Sequence, residues 1–380
     1  MKTITFLHPR KLVFGPEAWD ALQRDVVEAG YRRLFVVSIE ALSRRLEELH
    51  GSLREQEVAC EFDFSIVNEP TFAEFEVLLE RVRAFGADCV VGIGGGSVLD
   101  VAKLLAAQQK NGQATAEIVG SGNLAGRETG LICLPTTSGT GSEVSPNALF
   151  TSGDGAKVGV ISPHLVPDGA YVCPELTVSV PPAVTAATGI DALTHCIEAY
   201  ANNFAHPMVD VLALEGIALI ARNLARACRD GADLEARTKV ALGSVYGGMC
   251  LGPVNTAAVH ALAYPLGTRF HVPHGLSNAL LLPAVMEFNL PGVAAKYAAV
   301  ARAVGAEGGE SDERTAANGI GRIRELLAEI GIPGGLGAAN IPRDAIGDLA
   351  EGAVAVQRLL RNNPREVRLE DARSIYEAAY

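Results

Sequence analysis

A change of pattern at Pro181-Pro182 constrains this chain more than any other feature. Before it, short runs of branched apolar residues alternate with amphipathic stretches. Strands are expected at Lys11–Gly15, Leu34–Val37, Cys89–Ile93, Leu131–Leu134 and Gly169–Cys173, and helices at Glu17–Ala29, Ala41–His50, Phe72–Phe85 and Val98–Ala107. That alternation requires crossovers and a mostly parallel sheet. Glu61–Val67 alternates weakly and ends at the turn signal Asn68-Glu69-Pro70-Thr71, and Asn147–Val160 reads as a hairpin turning at Asp154-Gly155. After Pro182 only helical spacing remains, from Val184 to Ala378, broken by Gly and Pro. Two domains are therefore expected, an α/β domain over residues 1–182 and an all-helical domain over 183–380.

Charge and cysteine content narrow the class. The 380 residues carry a formal net charge of −12, where a nucleic-acid binder would show a basic stripe. No run of 18 apolar residues suggests a membrane span, and the N-terminal stretch lacks a signal-peptide core. Seven cysteines, from Cys60 to Cys250 with no Cys-x-x-Cys pair, read as isolated thiols in a reducing cytoplasm.

Two loops follow expected strands. Gly94-Gly95-Gly96-Ser97 joins a strand to a helix, with Asp100 on that helix's first turn. Such a junction either presents backbone N–H groups to a phosphate or simply makes a tight turn. Pro135-Thr136-Thr137-Ser138-Gly139-Thr140-Gly141-Ser142-Glu143 is rich in small hydroxyls, which hydrogen-bond phosphate and ribose oxygens without crowding them. The alternative is a helix N-cap series, but two such loops at strand C-termini in one sheet favour nucleotide binding. Lys157, after the hairpin turn, either reaches that ligand or is a solvated lysine.

In the second half, Asp191 and His195 stand four apart in TGIDALTHCIEAY, which places both on one helical face. His260 and His274 lie in HALAYPLG and RFHVPHGLSNALLLP. One carboxylate and three imidazoles suit Fe(II), Zn(II) or a similar divalent ion and leave room for a substrate oxygen. Each histidine alone reads more often as a satisfied core residue than as a ligand.

GGGSVLDVAK at Gly94–Lys103, PTTSGTGSEVSP at Pro135–Pro146, ATGIDALTHCIEAY at Ala187–Tyr200 and HALAYPLGTRFHVPHGLSNALLLP at His260–Pro283 occur together and in order. Over nearly its whole length the chain resembles the iron-containing (group III) alcohol dehydrogenases, with their dehydroquinate synthase-like fold. The resemblance implies that Gly95, Gly96 and Ser97 hold the pyrophosphate of NAD(H) or NADP(H), with Asp100 nearby. It places Thr136, Thr137, Thr140 and Ser145 on the ribose and nicotinamide side, and matches Asn68 and Lys157 to cofactor contacts. It makes Asp191, His195, His260 and His274 the ligands of an ion seated between the domains. It further implies a small alcohol or aldehyde as substrate and a homodimer or larger assembly. Such an ion would polarise the substrate oxygen while hydride passes between carbon and nicotinamide.

Two positions depart from the family pattern. Ile39 stands where many members carry the aspartate that binds the adenine ribose, so NADP(H) becomes admissible with Ser38 as a donor, although NAD(H) is favoured. Tyr264 stands where many carry a histidine in the proton path, which leaves His271 as the expected relay. The alternatives are a maleylacetate reductase-like oxidoreductase, a dehydroquinate synthase-like lyase and a non-catalytic nucleotide binder. The lyase would need more cations than Arg269 and its few neighbours. The binder leaves the acid and three imidazoles unexplained.

Overall fold

The computed structural model describes residues 3–67, 70–151 and 157–380. The expected cofactor contact Asn68 and the turn at Asp154-Gly155 lie outside these residues. Two compact units emerge. One comprises Leu7–Thr137 and Ser142–Thr177; the other comprises Val178–Tyr380, Ser138–Gly141 and the described residues up to Phe6. The chain therefore changes unit at Thr177/Val178, a few residues before the double proline, and a four-residue piece of the hydroxyl-rich loop groups with the helices.

The first unit contains β1 (Lys11–Phe14), α1 (Ala18–Glu28), β2 (Arg33–Ser38), α2 (Ser43–Glu55), β3 (Ala59–Asp63), α3 (Phe72–Phe85), β4 (Cys89–Gly94) and α4 (Gly96–Gln108). These are followed by β5 (Gly120–Ser121), β6 (Gly130–Pro135), β7 (Asn147–Thr151), β8 (Lys157–Ile161) and β9 (Gly169–Val172). Six strands form a wholly parallel sheet in the order β1-β9-β6-β4-β2-β3. Helices cover both faces, which is why the strands read as continuous apolar runs. Along β2, Leu34 and Val36 pack with Leu22 of α1 and Leu46 of α2, while Phe35 and Val37 pack with Phe75 of α3 and Leu99 of α4. β7 and β8 pair antiparallel, as a hairpin does, and β5 joins β8 in parallel.

The order of strands fixes where a ligand can sit. From β2 the chain moves outward to β3, returns across β2 to β4, and continues to β6. The reversal between β2 and β4 makes a topological switch point, where crevices form at strand C-termini. The glycine run follows β4 directly.

The second unit holds α5 (Pro182–Tyr200), α6 (Pro207–Arg229), α7 (Leu234–Leu251), α8 (Ala258–Phe270), α9 (His274–Ala303), α10 (Asp312–Glu329), α11 (Ile346–Val354), α12 (Gln357–Leu360) and α13 (Leu369–Ala378). Among its described residues there is no strand. Inside α9, Val293 leaves helical geometry two residues after Pro291, so the helix continues across this break as one kinked element. Buried Ile190, Leu193 and Ile197 of α5 share one core with Ile217 and Ile220 of α6 and Leu281 and Leu282 of α9. The α/β unit and the all-helical unit together constitute the dehydroquinate synthase-like fold.

Candidate metal centre and cofactor loops

Helix α5 starts at Pro182, where a missing N–H costs nothing, and runs uncapped through TGIDALTHCIEAY. Asp191 and His195 project from one of its faces, and His260 lies in the first turn of α8. His274 is the first residue of α9, behind the N-cap Pro273. A sharp reversal joins α8 to α9. His271 caps α8 in the left-handed region (φ 54°), with its N–H donating to Gly267 O at 3.0 Å. Gly275 then permits the close approach of α9 to α5, since a Cβ there would lie 2.2 Å from the Ala187 carbonyl oxygen.

Three imidazole nitrogens thereby converge on one carboxylate oxygen. His260 Nε2, His274 Nε2 and His195 Nε2 lie 3.4, 3.5 and 3.6 Å from Asp191 Oδ1. The ligand atoms of Asp191, His195 and His260 all lie within 4.8 Å of one another, and all three residues are buried. The His195 and His260 rings stack at 4.8 Å between centroids. Burial pushes the Asp191 carboxyl up, but His195, His274 and His260 together hold it far below its ordinary value. Burial also lowers His195 to about 4. His260 is raised to about 10, because Glu198 and Asp191 outweigh the opposing effect of its burial.

A divalent cation fits this donor set. A buried anion faced by three nitrogen lone pairs or protons at 3.4–3.6 Å leaves a space that one small ion bridges at ordinary ligand distances of about 2 Å. Asn278 Oδ1 is buried without a hydrogen-bond partner, so the cluster is not closed by protein contacts alone.

Two residues of this cluster were not singled out in the sequence. Glu198, on α5 seven residues after Asp191, accepts hydrogen bonds from His260 Nδ1 and Val259 N, both at 2.6 Å. Asn278 donates through Nδ2 to Asp191 Oδ1 at 2.7 Å, and the same atom lies 3.2 Å from His260 Nε2. Both stand inside quoted motifs at helical spacing from a ligand candidate, which was the available signal. The expected relay His271 is exposed at its cap. Tyr264 packs 6.1 Å from His274, ring centre to ring centre, and its hydroxyl accepts from Arg358 at 3.1 Å.

In the α/β unit, Gly95 is the N-cap of α4 and supplies no side-chain cap, so the first N–H groups of Gly96, Ser97 and Val98 are open to an anion. A Cβ on Gly94 would lie 2.7 Å from Val98, which makes glycine obligatory in this strand-to-helix turn. Thr136 N donates to Gly94 O at 2.9 Å and so ties the second loop to the first. Thr136 and Ser145 are buried, Thr137 is half-buried, and Thr140 belongs to the piece that groups with the helices. Asp100 has both oxygens engaged, by Ser142 Oγ at 2.5 Å and Leu149 N at 2.8 Å. Lys157 opens β8.

Ser38 requires a correction. Its hydroxyl is fully buried and donates to the Ile93 carbonyl at 2.7 Å, so it is no donor to a ribose 2′-phosphate. The last residues of a central strand bond sideways into the sheet, and only Ile39 begins the loop.

Comparison with known proteins defines the class. Residues 9–174 match the family described as iron-containing alcohol dehydrogenase, and residues 185–380 match the C-terminal part of the Fe-containing alcohol dehydrogenase family. The chain belongs to the iron-containing alcohol dehydrogenase family. It is 39% identical to long-chain-alcohol dehydrogenase 1 of Geobacillus thermodenitrificans, over 97% of this chain and 96% of that one. The crystal structure of 1,3-propanediol oxidoreductase superposes with a TM-score of 0.96 at 30% identity, covering 100% of both chains. That of sulfoacetaldehyde reductase from Bifidobacterium kashiwanohense, in complex with NAD+, gives 0.89 at 26% identity, over 100% of this chain and 99% of that one. Membership makes the chain an oxidoreductase of the alcohol dehydrogenase and aldehyde reductase type. Among the described residues, no helix is long and apolar enough to cross a membrane.

Proposed function

We propose that this protein interconverts a small alcohol and its aldehyde or ketone with NAD(H), using a divalent ion held by Asp191, His195, His260 and His274. One observation carries the reading: three histidine Nε2 atoms stand within 3.6 Å of a single buried carboxylate oxygen. Such an ion supplies Lewis acidity toward the substrate oxygen. The open amides of Gly96, Ser97 and Val98 take the pyrophosphate, and Thr136, Thr137, Thr140, Ser145 and Lys157 orient the remainder of the cofactor. Asp100 acts through Ser142, whose position it fixes. His271 carries the proton to and from solvent, which its exposure supports. NAD(H) is favoured over NADP(H) because the Ser38 hydroxyl is committed to the sheet. The NAD+ complex of the structural relative points the same way.

The test is reconstitution of metal-free protein with Fe(II) or Zn(II), followed by aldehyde-dependent oxidation of NADH and of NADPH. The expected result is one ion per chain, activity abolished by chelation, tighter NADH binding in a fluorescence titration, and an altered pH profile in His271→Ala. Full activity after exhaustive chelation overturns the metal assignment. At least about tenfold tighter NADPH binding overturns the cofactor assignment, and an unchanged pH profile overturns the relay.

A further inference from the structure

We infer that Glu198 is a positioning residue of the metal centre. It fixes the tautomer and direction of His260 so that Nε2 presents a lone pair to the ion. This rests on the metal reading proposed above.

The contact is specific in both oxygens. One accepts from His260 Nδ1 and the other from Val259 N, each at 2.6 Å, so the carboxylate holds the first turn of α8 by its backbone and by the ring it carries. Glu198 is 6% exposed, in a setting where an unpartnered carboxylate would be strongly disfavoured. Imidazole has two nitrogens, and the hydrogen bond at one determines what the other offers. With Nδ1–H directed at Glu198, the neutral ring that binds an ion has its free electron pair on Nε2, the atom 3.4 Å from Asp191 Oδ1.

The spacing makes this one device. Asp191, His195 and Glu198 stand at intervals of four and three on α5, along one face of the helix. Two of them face the ion position directly; the third reaches across to orient a ligand from another helix. A carboxylate behind a metal-bound imidazole raises ligand basicity, and its loss typically weakens metal binding about 10–100-fold. His195 differs, since among the described residues no carboxylate stands behind its ring; its backbone neighbour is Gly139. Asn278 also differs, because it donates to Asp191 rather than accepting from a ring.

Glu198→Gln tests the inference at nearly constant volume. The amide oxygen can still accept from Val259 N, but its –NH2 then faces His260 Nδ1 as a donor. The ring must move its proton to Nε2, where it opposes the ion. Zn(II) affinity is measured on folded, metal-free wild type and variant by competition with a chromophoric chelator, with Co(II) absorption as a second reading. The expected result is affinity about 10–100-fold weaker, a changed Co(II) spectrum and unchanged NADH affinity. Wild-type Zn(II) affinity and an unaltered Co(II) spectrum in the variant overturn the inference, even if its melting temperature falls, because that pattern belongs to a helix staple alone. If the metal-free glutamine variant does not fold, Glu198→Asp replaces it. It keeps the charge, withdraws the oxygens by one methylene, and is expected to bind Zn(II) several-fold more weakly; wild-type affinity there overturns the inference equally. Failure of the wild type to bind one ion overturns the underlying metal reading, and a wild type that binds beside a variant that binds equally well overturns only the role of Glu198.

Discussion

Glu143 is a carboxylic acid buried in the hydroxyl-rich loop, 3% exposed, with its pKa pushed up to about 7 by burial. An unfolded chain would release that proton near the ordinary value of 4.5. Between those two values the native state binds more protons, so this residue's contribution to stability falls as pH rises from 4.5 to 7. The difference corresponds to about 3 kcal/mol once the group is ionised. Glu143→Gln is therefore expected to leave the melting temperature nearly unchanged at pH 5 and to raise it at pH 8. Equal shifts at the two pH values would show that the side chain does not titrate in this way. Glu143 also shows what residue-scale reading of a sequence misses. The convergence of Asp191, His195, His260 and His274 was legible because few residue types bind cations and their motifs are long. Ser38 was misleading because type and position suggested a ligand contact, whereas its hydroxyl is satisfied by a neighbour 55 residues away. Glu198 lies at helical spacing in a quoted motif, but the partner that gives it a role is 62 residues distant.

Between elements, α4 does more than present its N-terminus. Lys103, wholly buried, donates through Nζ to the carbonyls of Ser142 and Ser145, each at 2.8 Å, and to that of Asn147 at 2.5 Å. One turn earlier Asp100 takes Ser142 Oγ and Leu149 N. The helix that follows the glycine turn therefore also clamps the hydroxyl-rich loop, and Thr136 N closes the circuit onto Gly94. Removing the ammonium takes the Lys103 donor from the carbonyls of Ser145 and Asn147, leaves Ser142 O with only the longer contact from Ser145 N at 3.4 Å, and leaves Asp100 without its neighbouring cation, a change that typically costs about 3–5 kcal/mol. Lys103→Met is expected to lose stability on that scale and to raise KM for the cofactor at least about tenfold, with metal content unchanged. A variant with normal cofactor KM would show that the clamp does not position the loop. The elements were largely readable from period and punctuation. Those that were not are short or sit at seams: β5 has two residues and α12 has four, too few to show a period, and α9 opens with His274-Gly275 before its first apolar residue, Leu276.

At the scale of the molecule, the two chemistries belong to different compact units. Every proposed metal ligand, with Glu198 and Asn278, lies in the helical unit; the glycine turn and the clamped loop lie in the α/β unit, apart from Ser138–Gly141. A ligand stabilises the structure that binds it by an amount set by its concentration over its Kd, about 2.7 kcal/mol at one hundred times Kd. Zn(II) alone should therefore slow hydrogen exchange at the backbone amides of α5, α8 and α9, which carry the converging side chains. NADH alone should slow it in β4, the start of α4 and the loop after β6. The four-residue segment Ser138–Gly141 is the informative place, because it is continuous in sequence with the cofactor loop but packs with α5 through Gly139 against Thr188. It is expected to respond to Zn(II) as α5 does. Exchange measured with each ligand separately decides the matter: protection of β4 by Zn(II) equal to that of α5 would place the ion elsewhere than among the four side chains named here.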